Sequence, residues 1–542
     1  MGQPRGVFLR EATGLVREVS PIEAGLWNIA ASGPLTVGLA YTISYWLSNY
    51  PRVNLPLAYV IAVIFTFFFS GSAALLSSAM PRSGGDYVFT GRILHPIIGF
   101  LSSWNMFIYN TFTGIGPFAG YLTYFAIGPM LYVIGALSGN PTIIQIGEST
   151  LVPPWSLIII VSLIIIYGII FLFGLKLSVK LGVACIVGAW ICLIITMVCL
   201  STISQSDFIN RFNQIAYMIS GKPDAYQYII ETAKSFGYST ETEPQSYAIG
   251  DILGLVGLVS MSVSWQWMHI YYAGEVKKAN DPFRQLLIIS IPLISHLFGM
   301  ALCSWLLINK AGGEFLNAYN YLSTYHPESL PFYVTGGGYT IFLMAITGPN
   351  IIIATLICLS AVFSALGIMF VFYFVTRILF AWSFDRIFPA WVADVDERLH
   401  SPIKATLIFI ILSLIGGIIY GVRSDLLLPL FAAAGSGSAI FAWIPICLTA
   451  ILFPFIKPTL YKATPLRTLS IKGVPLVSLF GVIGLVYCSY IAYSFWLATT
   501  FEGYLTIILV AIIGIIIFYF AKWYRKRQGI DLNLLFKEIP PE

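Results

Sequence analysis

Asn28-Ile29-Ala30-Ala31-Ser32-Gly33-Pro34-Leu35-Thr36-Val37-Gly38 lies inside an apolar stretch and carries small residues and a proline where a plain helix would carry leucines. Pro34 has no amide hydrogen and its ring collides with a carbonyl one turn back. Gly33 reaches backbone angles that other residues avoid, so the pattern predicts a helix that opens at Ala31-Ser32-Gly33. In hydrocarbon an unsatisfied peptide group costs several kcal/mol, so opened backbone persists only where protein encloses it or a watery cavity lies beside it. Half-helix ends offer N–H groups to an anion and carbonyls to a cation. The stretch is therefore a candidate site for a zwitterionic solute near the membrane midplane. A proline kink used only for packing is the other reading of the same residues.

The rest of the 542-residue chain supports a membrane setting: 58% of residues are hydrophobic and 10% charged, with a mean hydropathy of +0.84. These values lie outside the range of soluble globular domains. The first twenty residues are polar and mixed in charge, with no short apolar core and small-residue cleavage site, so no removable signal is expected and the N-terminus is expected in the cytoplasm. All seven cysteines fall in apolar segments, which disfavours a disulfide framework or a zinc site. Cys185, Cys192 and Cys199 recur every seven residues and share a helix face, as packing requires. The one Asn-x-Thr, at Asn140, has proline in its middle and is no glycosylation acceptor.

At about 20 apolar residues per crossing, twelve spans are expected: 22–48, 56–79, 96–134, 155–173, 179–203, 249–274, 285–309, 350–381, 403–421, 427–454, 475–498 and 503–523. With the N-terminus inside, 23 of the 29 lysines and arginines fall in the segments assigned to the cytoplasm, including the C-tail, as the positive-inside rule demands. The outer loops at 204–248 and 310–338 are long. Gly336-Gly337-Gly338 opens an apolar stretch that ends at Gly348-Pro349 and reads as a partial helix over the outer entrance. No phosphate-binding Gly-x-x-x-x-Gly-Lys-Ser/Thr loop occurs, so any energy would come from gradients or partners. The basic run Lys522 to Arg527 reads as a membrane-surface anchor.

Four further stretches fall at matching places along this plan. Pro81-Arg82-Ser83-Gly84-Gly85-Asp86-Tyr87 follows the second span; Gly174-Leu175-Lys176-Leu177-Ser178 precedes the fifth. Glu275-Val276-Lys277-Lys278-Ala279-Asn280-Asp281-Pro282 closes the sixth, and Arg377-Ile378-Leu379-Phe380-Ala381-Trp382-Ser383-Phe384-Asp385-Arg386 closes the eighth. Together they resemble the amino acid–polyamine–organocation (APC) transporter superfamily, over about residues 20 to 460. The resemblance implies an all-α integral membrane protein of the leucine-transporter type: a 5+5 inverted repeat plus two C-terminal helices, twelve transmembrane helices in all. The corresponding divisions are an N-tail 1–20, repeats 21–203 and 249–454, an extracellular loop 204–248, helices 11 and 12 over 475–523, and a C-tail 524–542.

The resemblance also implies a substrate site where helices 1 and 6 both break. Ala31-Ser32-Gly33 stands for the usual Gly-Ser-Gly. In helix 6 the expected glycine position falls on Trp265, within Ser260-Met261-Ser262-Val263-Ser264-Trp265-Gln266-Trp267, so that break is an open question. On this basis N–H groups at Ala31, Ser32 and Gly33 would hold a carboxylate, and carbonyls around Met261, Ser262 and Ser264 an ammonium. Ile29, Trp265, Tyr109 and Asn110 would line the side-chain pocket, whose aromatic and apolar character favours a neutral or hydrophobic amino acid.

For coupling, Ser360 and Ser364, four apart on helix 8, could hold sodium against Ala31. Glu23, Asp251, His269 and His296 are the ionisable candidates for protons, while Ala189 occupies a position where some members carry lysine. Glu23 and Asp251 are also placed to cap helices.

The expectation is a secondary active permease in the cell membrane, with the lipid bilayer and an amino acid as partners, no cofactor and no nucleic acid. The five histidines are scattered, which disfavours a membrane-embedded enzyme. An exchanger for amino acids or polyamines, an uncoupled facilitator, and more distantly a channel or substrate sensor are the alternatives. Gly116 and Gly120 have the spacing of a close helix contact, within the chain or between copies.

Overall fold

The computed structural model describes residues 14–31, 54–238, 249–332 and 338–537, apart from the side chains of 249–251 and 338–341. The chain is almost wholly helical, and among the described residues nine helical stretches are long and apolar enough to cross a membrane. Three match the hydropathy spans to within a residue, Leu55–Ala79, Trp155–Leu172 and Leu476–Ala498, and Ile351–Phe384 runs three residues past its expected end. The 403–456 stretch runs on through a short 3-10 turn at Ser424–Leu427. The long third span is interrupted. Pro96–Phe112 ends at Thr113, whose amide and hydroxyl both close on the Tyr109 carbonyl, and a second helix begins at Ile115.

The first helix, Pro21–Ala31, starts with a reciprocal cap. Ser20 N donates to Glu23 Oε2 at 2.9 Å and Glu23 N to Ser20 Oγ at 3.2 Å. Of the predicted opening at Ala31-Ser32-Gly33, Ala31 is still helical, and Ser32 and Gly33 lie outside the described residues.

Close helix contacts rely on small residues. A Cβ added to Gly116 would stand 2.6 Å from the Gly417 Cα, and one on Gly120 would strike the Tyr420 ring, so this pair of glycines serves packing within the chain. The Leu175–Thr202 helix meets Ile351–Val371 through Gly188 against Phe363 and Gly367 against Ile186. The segment 204–238 is not loose loop: Gln205–Ser220 and Ala225–Ser235 pack on Gly313–Tyr325, with Phe315 stacked on Tyr226 at 4.2 Å.

At the opposite end of the bundle the sequence motifs meet. The backbones of Val19 and Val276 pair as a short parallel bridge, through Val19 N to Glu275 O at 3.1 Å and Lys277 N to Val19 O at 2.8 Å. Arg377 grips Glu275 with two bonds of 2.7 Å, both side chains almost fully buried. Arg92 reaches Asp385 at 2.8 Å, and the Tyr87 hydroxyl donates to the same oxygen. Arg525, on the last long helix, donates to the carbonyls of Arg386 and Phe388.

Removing one member of a buried ion pair leaves the other charge without compensation, at a cost of about 3–5 kcal/mol, whereas replacing both by apolar groups is far milder. Glu275→Ala is therefore expected to lose most of the monodisperse protein on size-exclusion chromatography after mild heating, and Glu275→Leu with Arg377→Met to recover it. A single variant as heat-resistant as the parent would count against the pair's structural weight.

Candidate functional site

The Ile249–Val263 helix stops short, and a 3-10 segment, Gln266–Glu275, carries the chain on. Neither glycine nor proline stands at the gap. Side chains replace the lost backbone bonds instead. The Ser264 amide still reaches the Ser260 carbonyl, at 3.0 Å. The Trp265 indole N–H takes the Met261 carbonyl at 2.7 Å, and the Ser260 and Ser264 hydroxyls meet the Tyr487 hydroxyl, with Thr66 joining Ser264 at 3.1 Å. Below the gap, the Gln266 carbonyl accepts from Asn28 Nδ2 at 2.6 Å and faces His269 Nδ1 at 3.0 Å. The Asn28 bond fastens the first helix to the lower half of the interrupted one.

Aromatic rings surround this gap. Trp265 meets Trp443 edge to face at 5.3 Å, Trp443 packs on Phe69 at 5.2 Å, and Phe69 on Trp267 at 6.0 Å. Trp265 remains partly exposed while Trp267 and Trp443 are fully buried. Trp27 lies against Tyr272 at 4.8 Å. Several buried polar atoms here have no hydrogen-bond partner among the described residues: both amide atoms of Gln266, the indole N–H groups of Trp27, Trp267 and Trp443, and the hydroxyls of Tyr109 and Tyr272. Buried polar groups are nearly always satisfied, so a concentration of exceptions marks a place where water or a ligand belongs.

The residues singled out in the sequence fall into three groups. Met261, Tyr109 and Trp265 converge on one helix: the Met261 sulfur lies beside Gly435, the Tyr109 hydroxyl beside Gly437, and Trp265 against Trp443. Ile29 and Ala31 are buried on the first helix, on the residues next to Asn28, and Ser262 is buried at the gap.

A second group is engaged elsewhere. The Asn110 amide donates back to the Met106 carbonyl at 2.7 Å. The Ser360 hydroxyl donates to the Ala189 carbonyl at 2.9 Å. Ser364, by contrast, is buried, and its hydroxyl has no partner among the described residues.

The ionisable candidates are mostly structural in placement. Glu23 caps the first helix. His269 spans Gln266 O and the Gln285 side chain, each at 3.0 Å, and the His296 ring meets the Pro292 carbonyl one turn back. Ser32, Gly33 and the side chain of Asp251 lie outside the described residues.

Asn28, Gln266 and Trp443 were not anticipated, though the first two carried a signal: amide side chains inside apolar spans. A cavity of about 270 Å³ opens at the motif end of the bundle, between Val19, Lys176, Lys180, Glu275 and Leu399.

The family model described as amino acid permease matches residues 27–537. No curated protein matches the chain significantly. The match takes in both sides of the helix gap, the rings around it and the paired motifs beneath. The chain thus belongs to the amino acid permease family of the APC superfamily, whose members are transporters and not enzymes.

Proposed function

We propose that the chain moves a neutral or hydrophobic amino acid across the cell membrane by alternating access, driven by an ion gradient. The observation that carries this reading is the Val263–Gln266 gap, roofed by a partly exposed Trp265 and bordered by unpartnered buried polar groups. A helix ending at Val263 leaves the carbonyls of its last turn without intrahelical donors. Trp265 and Ser264 occupy those of Met261 and Ser260, so the substrate ammonium belongs at Ser262 and Val263, with the carboxylate at the N–H groups of Ala31 to Gly33. Trp265, Trp443 and Tyr109 supply an aromatic wall for the side chain. No carboxylate borders the gap among the described residues, which fits an uncharged substrate side chain.

The architecture behind this is the inverted repeat of 21–203 and 249–454 followed by two helices, twelve crossings with both termini in the cytoplasm. The sorting of charged groups by end supports it. Glu275, Arg377, Arg92, Asp385 and Arg525 gather at one end, while Lys234 pairs with Glu314 at 2.7 Å and Arg211 reaches the Ile346 carbonyl at 2.7 Å at the other. The cavity beside Val19 and Glu275 would then be the cytoplasmic mouth of the path.

A sodium-coupled version has one observation in its favour, the unpartnered Ser364 hydroxyl on the Ile351–Val371 helix.

Counterflow of labelled amino acids in proteoliposomes tests the reading. Saturable exchange of leucine-like or aromatic substrates is expected, and its absence for all twenty amino acids would refute it. Trp265→Ala should raise KM about tenfold, equivalent to about 1.4 kcal/mol of lost binding, with a smaller effect on maximal rate; an unchanged KM would remove Trp265 from the site. Ser32→Leu should abolish uptake without loss of expressed protein, and normal uptake by it would displace the carboxylate site from residues 31–33. Replacing sodium by choline should halve uptake or more if Ser364 holds sodium, and Ser364→Ala should then abolish the difference.

A further inference from the structure

Three buried carboxylates, Glu275, Asp385 and Asp86, lie in the layer where the motifs meet. Two of them are conventional. Glu275 receives Arg377 and Asp385 receives Arg92. Asp86 is fully buried, and the described residues include no lysine or arginine paired with it. Its neighbours are neutral groups from three elements: the Tyr87 amide donates at 2.9 Å, the Ser102 hydroxyl of the Pro96–Phe112 helix donates in a short contact, and Tyr271 of the 3-10 segment below the gap packs beside the turn with its hydroxyl not hydrogen-bonded among the described residues.

The backbone brings these groups together by design of the Gly84-Gly85 turn. Gly84 has φ +103° and Gly85 φ +52°, and a Cβ on either would strike Ala381 or Ile270 at 2.5 Å, so only glycines allow the approach. Gly84 N then donates to the Tyr271 carbonyl at 3.0 Å. The segment under the substrate gap is thus latched to the turn by one backbone bond, and the unpartnered Tyr271 hydroxyl is the group that a charged Asp86 would draw in.

We infer that Asp86 is a proton-binding site whose state of charge sets the grip of this latch on the lower half of the interrupted helix, and through it couples proton movement to transport. The coupling role rests on the transport reading above; the proton site does not. The Tyr87 amide and the Ser102 hydroxyl favour the carboxylate and complete burial favours the acid, so the two forms are closely matched. Burial wins by enough to push the carboxyl up to about 7.

The other charged or titratable groups on the surrounding elements have their own engagements. Arg92 and Tyr87, on its own helix, hold Asp385 of the Phe374–Phe384 end. Arg377 of that helix holds Glu275 of the 3-10 segment. Arg82, on the preceding turn, donates to the Pro81 carbonyl. His95 is exposed at the start of the Pro96–Phe112 helix, where its ring accepts the Ile97 amide, and Lys537 is exposed beyond Phe536, which packs on Tyr87. When protonated, the carboxyl becomes a donor itself and no longer draws in all three neighbours. The latch on Tyr271 changes at that moment.

Two arms test this. In the first, the purified protein and its Asp86→Asn variant are melted between pH 5 and 9. The folded carboxyl keeps its proton to about pH 7 against an ordinary value of 3.8. Its contribution to stability is therefore complete at acid pH and is lost as pH rises through 7. The melting temperature of Asp86→Asn should gain on the parent as pH goes from 5 to 8; a gap that stays constant overturns the proton site.

In the second arm, proteoliposomes compare exchange of labelled substrate with accumulation driven by a proton gradient. Asp86→Asn should keep exchange, lose accumulation and flatten the pH dependence near 7. Ser102→Ala, which removes a donor to the charged form, should move the midpoint to higher pH. Accumulation by Asp86→Asn with the parental midpoint overturns the coupling role. A parent that exchanges no amino acid overturns the transport reading and the coupling role with it, and the melting arm alone then decides the proton site.

Discussion

Peptide groups at a helix end inside hydrocarbon meet no water, and the gap at Val263–Gln266 depends on how that demand is met. Side chains meet most of it: the Trp265 indole on Met261 O, the cluster of hydroxyls around Tyr487, and Asn28 on Gln266 O. What they leave unmet, the last carbonyls of the helix and the amide of Gln266, is the polar surface a small solute could use. Satisfaction from one side and vacancy on the other make the interruption both stable and useful, where a fully satisfied break would be only a kink.

The arginine–carboxylate layer answers the same problem in another form. Buried charges persist when paired with good geometry, and the two pairs here join segments about a hundred residues or more apart, Glu275 with Arg377 and Arg92 with Asp385. They fix the motif end of the bundle as one unit. Asp86, in the same layer with no cation paired to it among the described residues, is the exception that would give the unit a titratable element.

Much of this was legible in the residues, and what was not has physical causes. Hydropathy located most crossings because a membrane helix must present twenty apolar residues whatever its neighbours. The resemblance rested on Glu275, Arg377 and Asp385 but could not show that they bind one another or Arg92, since pairing across the chain leaves no local pattern. The break after Ile249–Val263 was left open because Trp265 stands at the position where a glycine was expected; it is found there, at Ser264-Trp265, because hydroxyl and indole donors can end a helix as effectively as backbone freedom. Trp443 gave no signal, being one aromatic residue among many in an apolar span. Of the Ala31-Ser32-Gly33 opening, Ala31 closes the described part of the first helix and Ser32 and Gly33 lie outside the described residues, so the opening stands as a proposal.

The parallel bridge between Val19 and Val276 joins the chain just before the first helix to the chain just after the interrupted one. With Asn28 bonded to Gln266 farther up, the Pro21–Ala31 helix and the 3-10 segment are riveted at two places. They form one lever arm, so a spectroscopic label on either should report the swing of both, and tethering either to the neighbouring helices would immobilise the pair.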